Sequence, residues 1–573
     1  MRETTMKKAI SKSGRFLAAM ALVMWLAATA FAAAPGITGP TFNLTAQQAF
    51  LNQPDGEAIY SWGYGCNGAP AGFLPTASVI PGTTCPTMQV PGPTMIVNEG
   101  ANVIIHLTNQ LPTAVGNTSI LFPGFNLTST TCSAGAVQGV LACEAPPGGS
   151  VTYTFTASSP GTHAYYSGTQ GDLQIEMGLY GAIIVLPASV PANCDSGYHT
   201  LNNTARTAHG ETDFRLAHAA NDHPGSCYDR EYLFQWAEMD TRIHRQALAQ
   251  VTALVGCTAG AVGCSLNVQT EPYHPAYFLI NGRSMPDLMD PNFAGEYPHQ
   301  PYNANPHMHP GELTLVRTIG QGRWQHPFHE HANHVRILSR DGNLILSGST
   351  TNVTFTSGLT GDTGVAGRGL AGSLMFNTDT TPGESFDGIF YFTGRGLNWD
   401  PYGHHPGDTA DSLGSLSCTA DVNGYNSSAT GAINFMEWCQ DHNKPVQVNP
   451  FGDVAAGGPI TLPDPNVFTN GPWYGGTPYL GPDATLRAAT QTCVGNPYGT
   501  IPGVGMSGPN PPNAGCTTLN PANLQLNPAN ERGWAFMWHS HNEREITTNN
   551  VFPGGMLMMM LVDSREFPID EGM

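Results

Sequence analysis

Charged side chains are scarce in this sequence, and lysine is almost absent from it. Asp, Glu, Lys and Arg make up 11% of the 573 residues, against roughly a quarter in an ordinary globular protein. Three of the four lysines fall within the first twelve residues, and the formal net charge is −20. Without a polybasic surface the chain has little to neutralise phosphates or anionic headgroups, so we expect no nucleic-acid binding.

Beyond the N-terminal segment, no run of apolar residues reaches the roughly 18–20 residues that a membrane helix needs. In the N-terminal segment, basic residues up to Arg15 precede the apolar run 16–31, and Ala30 and Ala32 form an A-x-A arrangement. This order is typical of a cleaved secretory signal peptide; an uncleaved anchor helix is the alternative. We therefore expect residues 1–34 to be removed and the mature protein to be secreted, periplasmic or extracellular, with no membrane span.

No C-x-x-C motif occurs, which disfavours zinc-ribbon and thioredoxin-like sites. An even number of cysteines in an exported chain points to disulfide bonds, and pairing between sequence neighbours is the simplest hypothesis. All twelve cysteines follow the signal segment: Cys66, Cys85, Cys132, Cys143, Cys194, Cys227, Cys257, Cys264, Cys418, Cys439, Cys493 and Cys516.

Helical periodicity is rare, and strand patterns dominate what is present. The chain has 67 glycines and 46 prolines, which suits short strands joined by turns. Apolar residues alternate with polar ones in 102–111 and 151–156, a period of two. Only 241–255 has apolar residues spaced for one helical face, and we interpret it as a helix that packs between domains. The sequence therefore predicts an all-β protein.

The strand signals form two blocks. We predict one domain over 35–190, a linker over 191–229, and a second domain over 230–573. Within the second domain, about 396–530 is rich in Gly, Pro and Asn and holds four cysteines. We interpret that stretch as a long, disulfide-stapled insertion.

Two histidine clusters carry the chemistry of this sequence. The first contains His326, His329 and His331, and the second contains His539 and His541. Residues i and i+2 of a strand share a face, so each H-x-H motif directs two imidazoles into one space. Imidazole binds copper, zinc, iron or nickel, and copper(II) leads the affinity order. We therefore predict a metal site here, the alternative being histidines satisfied within a core.

At these residues the chain resembles the multicopper oxidases, which are built from cupredoxin β-barrels. HPFHEH (326–331), HSH (539–541) and GGM (554–556) are similar to that family's C-terminal copper motifs, and VPGPT (90–94) and GLYGAIIV (178–185) are similar to its first domain. LINGR (279–283) is similar to the start of a later domain. The resemblance implies two cupredoxin-like Greek-key domains, copper as cofactor, and His326, His329, His331, His539, His541 and Met556 as metal ligands.

The first block departs from the family pattern at every expected ligand. TSILFPG (118–124) stands where the family has T-S-I-H-W-H-G, and AYYSG (164–168) stands where it has W-Y-H-S-H. Leu121, Pro123, Tyr166 and Gly168 thus replace the four histidines. The two histidines left in this block, His106 and His163, are not at ligand positions; we expect His106 on the polar face of a strand.

The family's blue-copper site is also changed. Ser540 occupies the position of the cysteine whose thiolate defines that site, and Glu545 occupies the position of its second histidine. His326 matches one ligand of that site, and Met556 matches the axial one. The resemblance therefore implies a reduced, mononuclear site held by His329, His331, His539 and His541, with His326 nearby.

Further groups stand near these motifs. His307 and His309 form a third H-x-H, which either caps or loads the metal site or lies in an exposed loop before a strand. Glu330 is expected to point away from the metal, as the residue between two ligands on a strand. Glu543 and Glu545 either orient a histidine or are solvated.

The leading hypothesis is an exported, copper-binding oxidoreductase of the multicopper-oxidase class without a blue copper centre. Metal ions or small-molecule reductants are its candidate electron donors. The rival hypothesis is a non-catalytic cupredoxin scaffold for copper storage, adhesion or extracellular assembly. Hydrolase motifs such as G-x-S-x-G and H-E-x-x-H are absent.

Overall fold

The computed structural model describes most of the chain outside its N-terminus and one long later stretch. The described residues are 34–76, 84–129, 131–355, 365–393, 417–432, 434–442 and 533–563, with the short segments 476–479, 492–493 and 496–500 and residues 565 and 569. The predicted signal peptide lies outside the described residues, except for its last residue, and so does most of the predicted insertion.

The first region, up to residue 186, is built from two sheets packed on one core. One sheet has the order β10-β11-β5-β1-β4 and the other has the order β3-β2-β6-β9. The strands are β1 (Gly36–Thr38), β2 (Thr41–Asn52), β3 (Ala58–Cys66), β4 (Phe73–Leu74), β5 (Met95–Asn98), β6 (Asn102–Asn109), the short hairpin β7 (Val137–Gln138) and β8 (Cys143–Glu144), β9 (Ser150–Thr156), β10 (Gly161–Tyr166) and β11 (Tyr180–Leu186).

Alternating side chains explain why these strands pack as they do. In β6 and β9 the residues Val103, Ile105, Tyr153 and Phe155 are buried, and the residues between them are half-buried or exposed. Their apolar faces join Trp62 and other buried side chains in one cluster between the two sheets. This is the pattern of a sandwich with one face of each sheet in the core.

Two larger sheets form the second region. The first has the order β13-β12-β15-β23-β17-β18 with β21 beside β17, and the second has the order β14-β28-β27-β16-β22 with β24 beside β27. The strands are β12 (Arg230–Met239), β13 (Tyr277–Ile280), β14 (His307–Met308), β15 (Leu313–Gly320), β16 (His326–Glu330), β17 (Val335–Arg340), β18 (Asn343–Leu344), β19 (Asn352–Phe355), β20 (Val365–Arg368), β21 (Leu374–Met375), β22 (Asn377–Thr380), β23 (Ser385–Tyr391), β24 (Gly476–Tyr479), β25 (Thr492–Cys493), β26 (Asn496–Thr500), β27 (Gly533–Ser540) and β28 (Leu557–Asp563). β19 pairs with β20, and β25 pairs with β26.

The inner face of the second sheet closes the core of this region. Phe328, Phe536, Trp538, Met558 and Met560 are all buried there, in one cluster with aromatic and aliphatic side chains of β12, β15 and β23. These residues alternate along β16, β27 and β28 with residues that face the other way. The buried aromatic face therefore decides which side chains of β16 and β27 point outward.

Helices are few among the described residues. They are α1 (Gly171–Gln174), α2 (Gly197–Ala208) and α3 (Thr241–Ala253), with 3₁₀ turns at Thr113–Val115, Ala192–Asp195, Asp287–Met289 and Cys439–Asp441. The helix predicted over 241–255 is α3: the Asp240 side chain accepts a hydrogen bond from the Arg242 N–H at its start, a typical N-cap. Ile243, Ala247 and Val251 pack into the core of the first region. No described helix combines the length and hydrophobicity that crossing a membrane requires.

A buried ion pair joins the two regions. Arg317 of β15 lies 2.8 Å from Glu231 and 3.3 Å from Asp387, both nearly inaccessible. Asp387 also accepts a 2.6 Å hydrogen bond from the Thr162 hydroxyl of β10. Removing one member of such a pair leaves a buried charge unpaired, which typically costs about 3–5 kcal/mol, so this contact fixes β10 against β15 and β23.

Pairing of cysteine neighbours is confirmed for every described pair. The bonds are Cys66–Cys85, Cys132–Cys143, Cys194–Cys227, Cys257–Cys264 and Cys418–Cys439. Cys493 and Cys516 belong to the stretch in which side chains are not described. The predicted all-β, cupredoxin-like fold is confirmed, whereas the domain boundaries stay a prediction.

Candidate metal centre

Adjacent strands bring the predicted histidines of the two clusters together. β16 and β27 are antiparallel neighbours, and His329 lies directly opposite His539. The inner neighbours of these histidines, Phe328 and Trp538, are buried in the core, so the alternation of the strands turns His329 and His539 to the outer face. The structure thus contains two H-x-H motifs on neighbouring strands, as the spacing of the histidines predicts.

Three of the imidazoles converge on one point. His329, His331 and His539 each offer a ring nitrogen, and these nitrogens all lie within 4.8 Å of one another. The shortest separation, 3.3 Å, joins the Nε2 atoms of His331 and His539. His541 stands beside this group, with its ring centroid 4.8 Å from that of His329. We call these four residues the histidine cluster.

Backbone carbonyls fix the tautomers of two of these rings. The Nδ1 of His329 lies 2.5 Å from the Phe376 carbonyl oxygen, and the Nδ1 of His539 lies 2.7 Å from the Ser540 carbonyl oxygen. A carbonyl only accepts, so each Nδ1 carries the proton and each Nε2 keeps its lone pair. Orientation of a ligating imidazole by such a hydrogen bond is usual at metal sites.

Burial and mutual repulsion keep the same rings neutral. Burial lowers the pKa of His329 to about 4, and the neighbouring His331 adds to the effect. The pKa of His539 is likewise lowered to about 4, chiefly by burial. Its hydrogen bond to the Ser540 carbonyl opposes this shift, and the neighbouring His331 and His541 add to it. At neutral pH these imidazoles are therefore uncharged, which is the form that binds a metal.

The separation of the His331 and His539 Nε2 atoms fits two ligands of one metal ion. Two imidazole nitrogens bound about 2.0–2.1 Å from one metal are roughly 2.9 Å apart at a right angle and roughly 3.3 Å apart at a tetrahedral angle. The 3.3 Å between the His331 and His539 Nε2 atoms falls at the upper end of this span. Because the His539 Nε2 keeps its lone pair, this approach requires a proton or a cation between the two nitrogens. The donor set of the cluster thus fits a metal.

One side of the cluster is open. His329 and His539 are buried, His331 is half-buried and His541 is exposed. Phe376, 51% exposed, stands edge-on to His329 with ring centroids 5.9 Å apart, and also contacts His334. A small molecule from solvent would therefore reach the cluster past His541 and Phe376.

His326 is not brought to the histidine cluster. It lies three residues before His329 on the same strand, and an odd offset turns its side chain to the opposite face. There its Nδ1 lies 2.8 Å from a Glu545 carboxylate oxygen, and its Nε2 lies 2.9 Å from a Glu238 carboxylate oxygen. Both nitrogens that were expected to serve a metal are engaged by carboxylates.

Met556, the other predicted ligand from the blue-copper pattern, is fully buried in the core of the second region. Its backbone N–H donates to the Glu545 carbonyl, and its carbonyl accepts from the Ser540 N–H. The structure thus places Met556 at the end of the loop that returns from His541, and its role as a ligand stays a prediction.

The exposed-loop interpretation of His307 and His309 is wrong. Both are buried, His307 in β14 with its Nδ1 2.7 Å from Asp563, and His309 with its Nε2 2.5 Å from Glu211. Parallel pairing of β14 with β28 brings His307 to Asp563, and Glu211 comes from the segment after α2; a local sequence pattern reveals neither contact.

The three carboxylates near the clusters have different surroundings. Glu330 points into the core, as expected: it is fully buried, and its oxygens have no hydrogen-bond partner among the described residues. Burial raises its pKa well above the ordinary value. Glu545 is buried against His326, whereas Glu543 is exposed.

The ligand positions lost from the first region are occupied by ordinary structural contacts. Leu121 and Tyr166 pair their backbones, with the Leu121 N–H donating to the Tyr166 carbonyl at 2.7 Å. His106 lies on the polar face of β6 and bonds the Thr152 hydroxyl, as predicted. His163 is buried 4.5 Å from the Phe125 ring, centroid to centroid.

Two residues of this site escaped the sequence analysis. Glu238 is the last residue but one of β12, and a carboxylate within a strand that is buried throughout is a signal of a buried partner. Phe376 carried no motif at all. Its place beside His329 follows from the pairing of β22 with β16.

Comparison with known proteins accords with this architecture. Residues 83–189 match a family model described as multicopper oxidase. This segment is therefore a multicopper-oxidase-type segment. It lies in the first region, and the histidine cluster lies outside it.

Curated relatives match over short stretches. The chain is 39% identical over 97 residues to an L-ascorbate oxidase of Brassica rapa subsp. pekinensis, covering 17% of this chain and 16% of that protein. It is 41% identical over 103 residues to the iron transport multicopper oxidase fetC of Epichloe festucae, covering 18% and 15%. The matches thus span about a sixth of the length of these relatives.

Among solved structures, the blue copper oxidase from Nitrosomonas europaea is similar over 91% of this chain and 85% of its own, with 13% identity and a TM-score of 0.39.

The charge on His326 predicts a pH dependence of stability. Burial alone would lower its pKa, but the hydrogen bonds and charges of Glu238 and Glu545 outweigh burial and raise the pKa to about 9. The folded pKa thus lies above the ordinary ~6.5, so this stabilisation is complete below pH ~6.5 and is lost as pH rises through 9. We expect the free energy of unfolding, measured in urea, to fall by about 3 kcal/mol between pH 6.5 and 10.

The matched control is His326→Gln, which has no imidazole to titrate and is expected to lack this decline. A parent protein as stable at pH 10 as at pH 6.5 would contradict the assignment of an imidazolium.

Proposed function

We propose that this chain is a copper-binding oxidoreductase of the multicopper-oxidase class, with one histidine-rich site and no blue copper centre. The observation that carries the proposal is the 3.3 Å approach of the His331 and His539 Nε2 atoms within a group of three convergent imidazoles. Neutral imidazoles with fixed tautomers favour a late first-row metal, and copper(II) heads the affinity order for such ligands.

The residues of the cluster have separate tasks in this proposal. His329, His331 and His539 would hold the metal through ring nitrogens, and His541 would close the set from the exposed side. Copper in such a site supplies one-electron chemistry between its two oxidation states. The backbone carbonyls of Phe376 and Ser540 keep the His329 and His539 rings oriented, and the opening at His541 and Phe376 admits a metal ion or a small reductant as electron donor.

The proposed site is mononuclear because the first region offers no donors of the family type. Leu121, Pro123 and Gly168 have no ligating side-chain atom, and the Tyr166 ring is partly buried against two core clusters. A three-copper centre of the kind that reduces dioxygen by four electrons needs about twice this ligand set, which supports a simpler reaction here.

We also propose that the protein is exported through its N-terminal segment 1–34. Disulfide bonds in the described part of the chain support an oxidising compartment. Mass spectrometry of protein from the medium or periplasm should find a mature N-terminus between Ala33 and Pro35; an intact Met1 on the exported protein would reject cleavage.

Removal of two cluster histidines should abolish stoichiometric copper binding. His331→Ala combined with His539→Ala deletes the two closest nitrogens, so the remaining rings cannot chelate one ion. Metal analysis after dialysis, with isothermal titration for affinity, provides the measurement. His106→Ala, a half-buried histidine on β6, is the matched control and should bind like the parent. A double variant with parental copper content would reject this site.

The copper-loaded protein should lack the intense blue charge-transfer band and should not reduce oxygen fully to water. The position of the thiolate holds Ser540, whose hydroxyl donates to the Glu545 carboxylate and gives no copper–sulfur bond. Visible absorption and oxygen consumption with a phenolic reductant test this expectation. An intense blue colour, or water as the product of complete oxygen reduction, would contradict it.

A further inference from the structure

A buried ionic contact ties together the three segments that surround the histidine cluster. His326 begins β16, Glu238 is the last residue but one of β12, and Glu545 lies in the loop from His541 to β28. The imidazole is 0% exposed and lies between the two carboxylates at 2.8 and 2.9 Å. We call Glu238, His326 and Glu545 the carboxylate clamp.

The clamp excludes His326 from metal binding. Each ring nitrogen faces a carboxylate oxygen within hydrogen-bond distance, and an ionised carboxylate can only accept. Both nitrogens therefore carry protons, and neither keeps a lone pair for a metal. A buried cation held between two anions is also the arrangement in which the penalty of burial is best offset.

Glu545 connects the carboxylate clamp to the backbone of the histidine cluster. Its carboxylate accepts the Ser540 hydroxyl and the Asn542 side-chain amide at 2.9 Å. Its backbone carbonyl accepts the Met556 N–H at 2.8 Å, and the Met556 carbonyl accepts the Ser540 N–H at 2.9 Å. Ser540 stands between His539 and His541, so the backbone that presents both imidazoles is fastened to Glu545.

Glu238 provides the fixed end of the clamp. Its second oxygen accepts the backbone N–H groups of Arg323 and Trp324 at 2.8 and 2.9 Å, and it lies 3.0 Å from the Tyr273 hydroxyl. The carboxylate is thus held by three groups from two other segments. A movement of the His541 loop away from β16 would have to break ionic contacts that are wholly buried.

We propose that the carboxylate clamp is the positioning element of the metal site: His326, through Glu545 and Ser540, sets the direction in which His539 and His541 present their nitrogens. This rests on the proposed copper function of the cluster. His326 is a positioning residue here and does not contact the metal.

Two variants and a matched control test the role. His326→Gln removes the cation, and Ser540→Ala removes only the hydroxyl that links Glu545 to the ligand strand, so Ser540→Ala decides the matter if His326→Gln does not fold. His199→Gln is the control, because His199 of α2 is also buried beside a carboxylate, with its Nδ1 2.9 Å from Asp229, and lies outside the clamp. Each protein is loaded with one equivalent of copper(II), and we measure copper affinity, the electron paramagnetic resonance spectrum and thermal stability.

A positioning role has a specific signature. His326→Gln should weaken copper binding about tenfold or more, the usual range for groups that orient ligands. The parameters of its electron paramagnetic resonance spectrum should shift. The number of coordinated imidazoles, counted by electron spin-echo measurements, should stay that of the parent protein. Ser540→Ala should change affinity and spectrum in the same direction by less. His199→Gln should lose stability but keep the parental spectrum and affinity.

Other outcomes overturn the inference in distinguishable ways. Parental affinity and spectrum in folded His326→Gln or Ser540→Ala would reject the positioning role and leave the copper function standing. Loss of one coordinated imidazole in His326→Gln would make His326 a ligand and reject the clamp. A parent protein that binds no stoichiometric copper would reject the proposed function, and the positioning role with it.

Discussion

Charge pairing inside the protein is the constraint on which the rest of this structure depends. A carboxylate, guanidinium or imidazolium removed from water costs several kcal/mol unless a partner offsets it, and this chain buries such groups although only 11% of its residues are charged. Arg317 is paired with Asp387, and His326 is paired with Glu238 and Glu545. The partners come from strands and loops far apart in the sequence. Their pairing therefore fixes which segments meet, and the histidine cluster is presented by segments fixed in this way.

One short strand separates two opposite electrostatic environments. The inner face of β16 carries His326, which two carboxylates hold as a cation with a pKa of about 9. The outer face carries His329, which burial and neighbouring imidazoles hold neutral, with a pKa of about 4. Side chains three positions apart on a strand point to opposite faces, so the pleat alone divides a structural imidazolium from metal-binding imidazoles. The same alternation on β27 separates Ser540 from His539.

The sequence was sufficient for the features that depend on local periodicity. The period of two over 102–111 and 151–156 predicted β6 and β9, the helical spacing predicted α3, and the two H-x-H motifs predicted the meeting of His329 with His539. The pleat could also have placed His326 away from His329, since their offset is odd, but family resemblance favoured a ligand role. Contacts set by topology could not be predicted: Glu238 and His326 lie on β12 and β16, which belong to different sheets.

The clamp has a consequence for how electrons would reach the proposed copper site. In the family pattern, Ser540 and Glu545 stand where a thiolate and an imidazole would hold a second redox metal. Here those positions hold a hydroxyl and a carboxylate, and the Glu545 carboxylate accepts hydrogen bonds from both Ser540 and His326. The inner side of the sheet thus has an ionic connection between strands at these positions. In the proposed function, the outer side is the accessible approach for an electron donor, because His541 is exposed there and Phe376 borders His329. The size and polarity of the donor would then be selected at this opening, by Phe376, which belongs to neither H-x-H motif, and by His541.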